Sequence, residues 1–123
     1  MDYDKYNEYL QERYENVMNY DSMILENYFK DFKQKKINNK HARNLKENFV
    51  RELIMADTVE ELKEVENYMN EIIRRLEREL SKEEKNNTKF LSSGWILKWF
   101  KGEGRKQIQE KYYYFDDIKH NRE

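Results

Sequence analysis

Leu62, Val65, Met69, Ile72, Leu76 and Leu80 follow one another in steps of three or four residues, the spacing that aligns side chains on one face of an α-helix. Just ahead of them, Thr58 and Glu61 stand at the N-cap and N3 positions of a capping box, where hydroxyl and carboxylate satisfy the first free backbone N–H groups. Together these signals predict a helix of about 23 residues, roughly 35 Å long. Tyr68 and Ile73 widen its apolar stripe beyond the seam of a two-stranded coiled coil. Such a helix needs neighbours on more than one side, which predicts a bundle. The chain contains no proline, so no residue forces a helix to end and boundaries must be read from caps and periodicity.

Read this way, the fold expected is mainly all-α: a single domain over 1–123, with four to six helices, of which residues 1–85 form the bundle. Tyr3, Tyr6, Leu10, Tyr14 and Val17 predict a first helix over about 2–18, with Asp2 and Asp4 favourable at its N-terminus. Asn19-Tyr20-Asp21-Ser22 reads as a break, with Asp21 or Ser22 as the next N-cap. Ile24, Leu25, Tyr28, Phe29 and Phe32 then mark a second helix over about 22–36. After a short turn at Lys36-Ile37-Asn38-Asn39-Lys40, a helix over about 40–56 buries Ala42, Leu45, Phe49 and Leu53. Ser81 to Thr88 is polar and aperiodic, a linker or a frayed end.

Residues 86–123 are different in kind. Phe90 to Phe115 holds Phe90, Trp95, Trp99, Phe100, Tyr112, Tyr113, Tyr114 and Phe115, together with Gly94, Gly102 and Gly104. One reading is a short helix at 95–100, a break at Gly102-Glu103-Gly104, and a final helix using Ile108, Tyr112, Phe115 and Ile118. The other is a β-hairpin, with WILKWF and KYYYF as strands and KGEG as the turn.

Composition narrows the chemistry. Charged residues make up 40% of the chain and the mean hydropathy is -1.26, values typical of disorder. The 15% aromatic content and the helical period argue for a packed core instead. There is no Cys, which excludes disulfides, thiolate catalysis and cysteine zinc sites. His41 and His120 are the only histidines, so neither a catalytic triad nor a multi-histidine metal site is expected. Carboxylate pairs such as Glu60-Glu61 and Asp116-Asp117 follow from abundance alone, and Gly102-Glu103-Gly104 lacks the context of a phosphate loop. A non-enzymatic protein without cofactor, metal or small-molecule substrate is expected. No apolar run reaches the length of a membrane span, and MDYDKYNEYL has neither the basic nor the apolar region of a signal peptide. The expectation is a cytoplasmic protein with no membrane partner. Scarcity of Pro, Gly and Ala beside abundant Lys, Asn, Glu, Tyr and Ile suits an AT-rich gene, as in a phage or mobile element of a bacterial host.

The near-neutral total hides blocks of charge. Residues 1–31 carry three basic and eight acidic side chains, and residues 52–72 carry Lys63 against seven acids. Between them, residues 32–51 hold seven basic side chains against Glu47 alone. One reading makes this block a phosphate-contacting surface of Lys35, Lys36, Lys40, His41, Arg43, Asn44, Lys46 and Arg51, since Lys and Arg bind phosphate while Asn and Arg read base edges. The other makes it the internal counter-charge of the two acidic stretches.

Ile24 to Leu53, ILENYFKDFKQKKINNKHARNLKENFVREL, resembles the helical core-binding domain of phage-type tyrosine recombinases. The matching pieces are Phe29 and Phe32, Lys35-Lys36-Ile37, Asn38-Asn39-Lys40, Arg43-Asn44 and Asn48-Phe49. His41 stands where the family usually has Thr, and the cap is Asn rather than Ser. The resemblance implies that the helix after the Lys-rich turn lies on DNA. It carries no catalytic domain, so it implies binding without strand cleavage, and Tyr112-Tyr113-Tyr114 are not nucleophiles.

A second candidate surface is the aromatic C-terminal element. Trp95 and Trp99, one helical turn apart, with Lys98 and Arg105 nearby, are the residue types that dominate protein interfaces. Three consecutive tyrosines cannot all face inward, which adds Tyr113 to this set. The function expected is that of a small phage or mobile-element accessory protein that binds DNA, or a host nucleic-acid-handling protein, and acts by occupancy. One alternative is an anti-CRISPR-like inhibitor of a host nuclease or defence effector, whose acidic stretches mimic nucleic acid. Another is a self-associating scaffold, a homodimer through the Leu62–Leu80 stripe.

Overall fold

A computed structural model describes residues 3–34, 36, 39–84 and 94–121. They form helices α1 (Tyr3–Lys33), α2 (Lys40–Met55) and α3 (Val59–Glu84), then a last rod in which α4 (Trp95–Trp99) runs through a π-turn (Phe100–Gly104) into α5 (Arg105–Asn121). α3 is the long helix expected from its cap. The Glu61 N–H donates to Thr58 Oγ1 at 3.1 Å, while Glu61 Oε2 accepts from the Asp57 N–H at 2.9 Å. The capping box is therefore closed one residue further out than the standard motif. Leu62, Val65, Tyr68, Met69, Ile72, Ile73, Leu76 and Leu80 are all buried, each aliphatic chain contributing roughly 1.5–3 kcal/mol. α1 and α2 cover one side of this stripe, and the last rod covers another.

α1 corrects the expectation of two helices. It runs unbroken through Asn19-Tyr20-Asp21-Ser22. Asp21 does not cap anything: it is wholly buried, and its Oδ1 accepts a hydrogen bond from the Asn48 amide at 2.9 Å. Ser22 Oγ accepts from Arg75 of α3 at 2.6 Å. Both polar side chains are engaged by neighbouring helices, so neither is left to compete for its own backbone. α2 and its buried Ala42, Leu45, Phe49 and Leu53 are as expected.

The β-hairpin is also corrected: residues 95–121 are helical throughout. Ile96, Phe100, Gly104 and Ile108 are buried at successive four-residue steps. In a straight α-helix each such step drifts by about 40°, and the wider π-turn offsets that drift over the step from Phe100 to Gly104. Gly104 fits this approach, with Met69 Sδ 3.4 Å from where a β-carbon would stand. The rod is held by Phe49, whose ring meets those of Trp99 and Phe100 edge-on at 5.9 and 5.4 Å. Ion pairing of Lys101 with Glu77 and a 3.3 Å hydrogen bond from the Tyr112 hydroxyl to Glu66 add to this. Lys111 donates to the Leu53 and Ile54 carbonyls, capping the C-terminus of α2. Tyr113 and Tyr114 stay exposed.

A glycine in a helix interior weakens it, whereas a turn glycine is needed. Gly102 has nothing within 4 Å of its β-position. Gly102→Ala should therefore stabilise the protein by about 0.5–1 kcal/mol in urea unfolding; a loss of stability would contradict the continuous rod.

Candidate nucleic-acid interface

With Ala42, Leu45, Phe49 and Leu53 turned inward, helical geometry turns Lys40, Arg43, Glu47, Arg51 and Ile54 outward along one ridge of α2, and all five are exposed. Of the sequence-derived basic set, Lys36 is exposed in the preceding turn and Lys35 lies outside the described residues. His41 is half-buried, its Nε2 3.3 Å from Asp31. Asn44 is half-buried. Lys46 leans off the ridge, its ammonium 5.0 Å from the centre of the Trp99 ring, a cation–π contact. The Arg51 guanidinium donates to Asn48 Oδ1 at 2.8 Å.

The counter-charge reading finds little support in this geometry. Among the described residues, His41 pairs with Asp31 of α1, whereas Arg43, Lys46 and Arg51 make no ion pair. Acids next to the block are engaged elsewhere. Glu52, nearly buried, holds Arg13 of α1 at 2.8 Å. Glu47 shares the ridge with Arg43 and Arg51 without pairing with either.

The aromatic set divides. The Trp95 indole N–H donates to Asn39 Oδ1 at 3.1 Å and Trp99 packs on Phe49, so both half-buried tryptophans fasten α4 to α2. Lys98 and Arg105 are exposed. Tyr113 is 68% exposed but lies roughly 27 Å further along the rod at ~1.5 Å per residue. Trp95 and Tyr113 therefore do not form one patch.

Beside the basic ridge lies a feature absent from the sequence-derived set. Asn16, Val17 and Tyr20 of α1 face Asn48 and Arg51 of α2 across a hollow of about 250 Å³, with Asp21 in its wall. Oδ2 of Asp21 is buried and has no hydrogen-bond partner. Desolvation pushes its carboxyl up to about 6, Glu52 adds to the rise, and the Asn48 hydrogen bond and Arg51 oppose it. A signal was present in the sequence: Asp21 lies seven residues after Tyr14 and four before Leu25, in phase with the buried stripe.

On the opposite flank of α1, a second hollow of about 250 Å³ is bordered by Glu15 of α1 and by Glu64 and Glu71 of α3. A third, apolar hollow on α2 exposes Ile54 and Met55. No cluster of three or more metal-binding side chains occurs among the described residues, and no described helix is long and apolar enough to cross a membrane. Comparison with protein-family models, curated proteins and solved structures gives no match to the chain.

The raised Asp21 value has a definite sign. The folded state holds the proton more tightly than the unfolded chain, so the contribution of Asp21 to stability falls as pH rises from about 4 to about 6 and then levels off. Asp21→Asn should gain on the wild type through that window, to roughly 2–3 kcal/mol above it. Urea unfolding of both proteins at pH 4 and pH 7.5 checks this; equal differences at the two values would contradict it.

Proposed function

We propose that this protein is a non-catalytic nucleic-acid-binding protein, an accessory factor of phage or mobile-element type, that acts by occupying its target. The observation that carries the reading is the outward ridge of α2, where Arg43 and Arg51 are exposed and make no ion pair among the described residues, with Lys36 in the preceding turn and Lys40 at the helix start. Exposed cations on one ridge are placed to displace counterions from phosphate. The start of α2 adds the positive end of its helix dipole. The recombinase core-binding resemblance implies the same contact, through the helix that follows the Lys-rich turn.

The test is the salt dependence of DNA binding by fluorescence anisotropy. Each neutralised phosphate contact contributes about 0.7–0.9 to the slope of log K against log salt. Replacing Lys36, Lys40 and Arg43 together by Ala should lower that slope by roughly 2–3. An unchanged slope rejects the ridge as the contact.

A second reading, inhibition of a host nuclease or defence effector by acidic mimicry, is favoured by the α1–α3 hollow, where Glu15, Glu64 and Glu71 border one depression. Their joint replacement by Lys should then abolish inhibition while circular dichroism stays helical; inhibition that survives rejects it. Self-association through the Leu62–Leu80 stripe has less to recommend it, since that stripe is covered within the chain.

A further inference from the structure

We propose that the hollow between α1 and α2 seats one unpaired nucleobase, so that the nucleic acid taken by the basic ridge is single-stranded. This rests on the reading of α2 as a phosphate-contacting ridge and adds the form of the strand and the place where a base is held.

Three observations converge there. Tyr20 stands at the rim, 61% exposed, and offers a ring face on which any base can stack. Asp21, wholly buried beside it, keeps Oδ2 without a partner. A buried acceptor of this kind is costly to leave unmet; Oδ2 is closed off from solvent, so a base meets it by displacing part of the wall of the hollow, and every nucleobase carries an N–H group able to do so once its pairing edge is free. Asn48 and Arg51 supply the third part. Asn48 donates to Asp21 Oδ1 and accepts from Arg51, so the carboxylate, amide and guanidinium form one chain from the wall of the hollow to the exposed ridge. Arg51 uses one of its five N–H donors on Asn48, leaving others for the phosphate next to the seated base. Asn16 adds a side-chain amide on the α1 wall. In a duplex the same base is stacked on its neighbours and its pairing edge is occupied, so neither the ring face nor the acceptor can be used.

The experiment titrates the full chain into a labelled single-stranded oligonucleotide and into the corresponding duplex, at several salt concentrations. It compares the wild type with Tyr20→Ala, Tyr20→Phe and the Lys36/Lys40/Arg43 triple Ala variant. Loss of a stacking platform predicts single-strand affinity lower by roughly tenfold to a hundredfold in Tyr20→Ala, with the salt slope unchanged. Tyr20→Phe should retain wild-type affinity because the ring remains. Duplex binding, where measurable, should not respond to either. Because Tyr20 is exposed, these substitutions leave the core intact, which circular dichroism verifies. If Tyr20→Ala leaves single-strand affinity unaltered, or weakens single strand and duplex equally, the base-seating proposal is overturned. The ridge reading then still stands if the triple variant flattens the salt slope. If the wild type binds neither probe at low salt, both readings fall together.

Discussion

Everything in this bundle depends on covering one apolar stripe. α3 carries Leu62, Val65, Met69, Ile72, Leu76 and Leu80 on a helix of 26 residues, and a stripe of that length exposed to water cannot be tolerated in an isolated chain. The other helices are placed by that demand. α1 and α2 close one flank, and the last rod closes another by setting Ile96, Phe100, Gly104 and Ile108 towards the bundle. The π-turn fits the same demand, because local widening offsets the drift of the four-residue step from Phe100 to Gly104. Lys111 links the two flanks through the end of α2, and burial lowers its pKa there, opposed by Asp57 and Glu61.

A polar seam between α1 and α2 works against this apolar logic. Asp21, Asn48, Glu52 and Arg13 lie between the two helices, where a purely structural pair would carry aliphatic residues, and Arg51 stands at the exposed edge of this seam. Glu52 and Arg13 satisfy one another, and ion pairs of this kind contribute less than a hydrophobic replacement would. Asp21 is not fully satisfied, and its raised pKa is the electrostatic mark of that cost. Groups that reduce stability without any gain in packing tend to gather at functional surfaces, and this seam runs beside the exposed cations of α2. Proximity of these features is the physical basis for the proposal that the α1–α2 side binds nucleic acid.

Much of the fold is legible along the chain. The stripes of α2 and α3 are short-range patterns of apolar residues, and Thr58 and Glu61 signal the start of α3 with local hydrogen bonds alone. One expectation, the break in the first helix, and one of the two readings of the C-terminal element failed for a common reason. Asn19-Tyr20-Asp21-Ser22 has the side chains of a cap, and WILKWF and KYYYF have the residues of strands, yet both segments are helical. In the first, Asn48 and Arg75 take up Asp21 and Ser22 from other helices. In the second, Phe49 and Met69 meet the rings and the glycine of the rod. Local propensity lost to partners far away in sequence.

The same division applies to the candidate site. The sequence by itself determined the helical class, the cores of α2 and α3, and the concentration of positive charge around residues 32–51, since each depends on residue type and spacing within one segment. Only the tertiary structure decided which of those cations remain exposed, that Trp95 and Trp99 fasten α4 instead of forming a patch with Tyr113, and that Tyr20 and Asp21 border a hollow with Asn48 and Arg51. Those outcomes depend on which helix lies against which, a matter of long-range packing that no pattern within a single helix encodes.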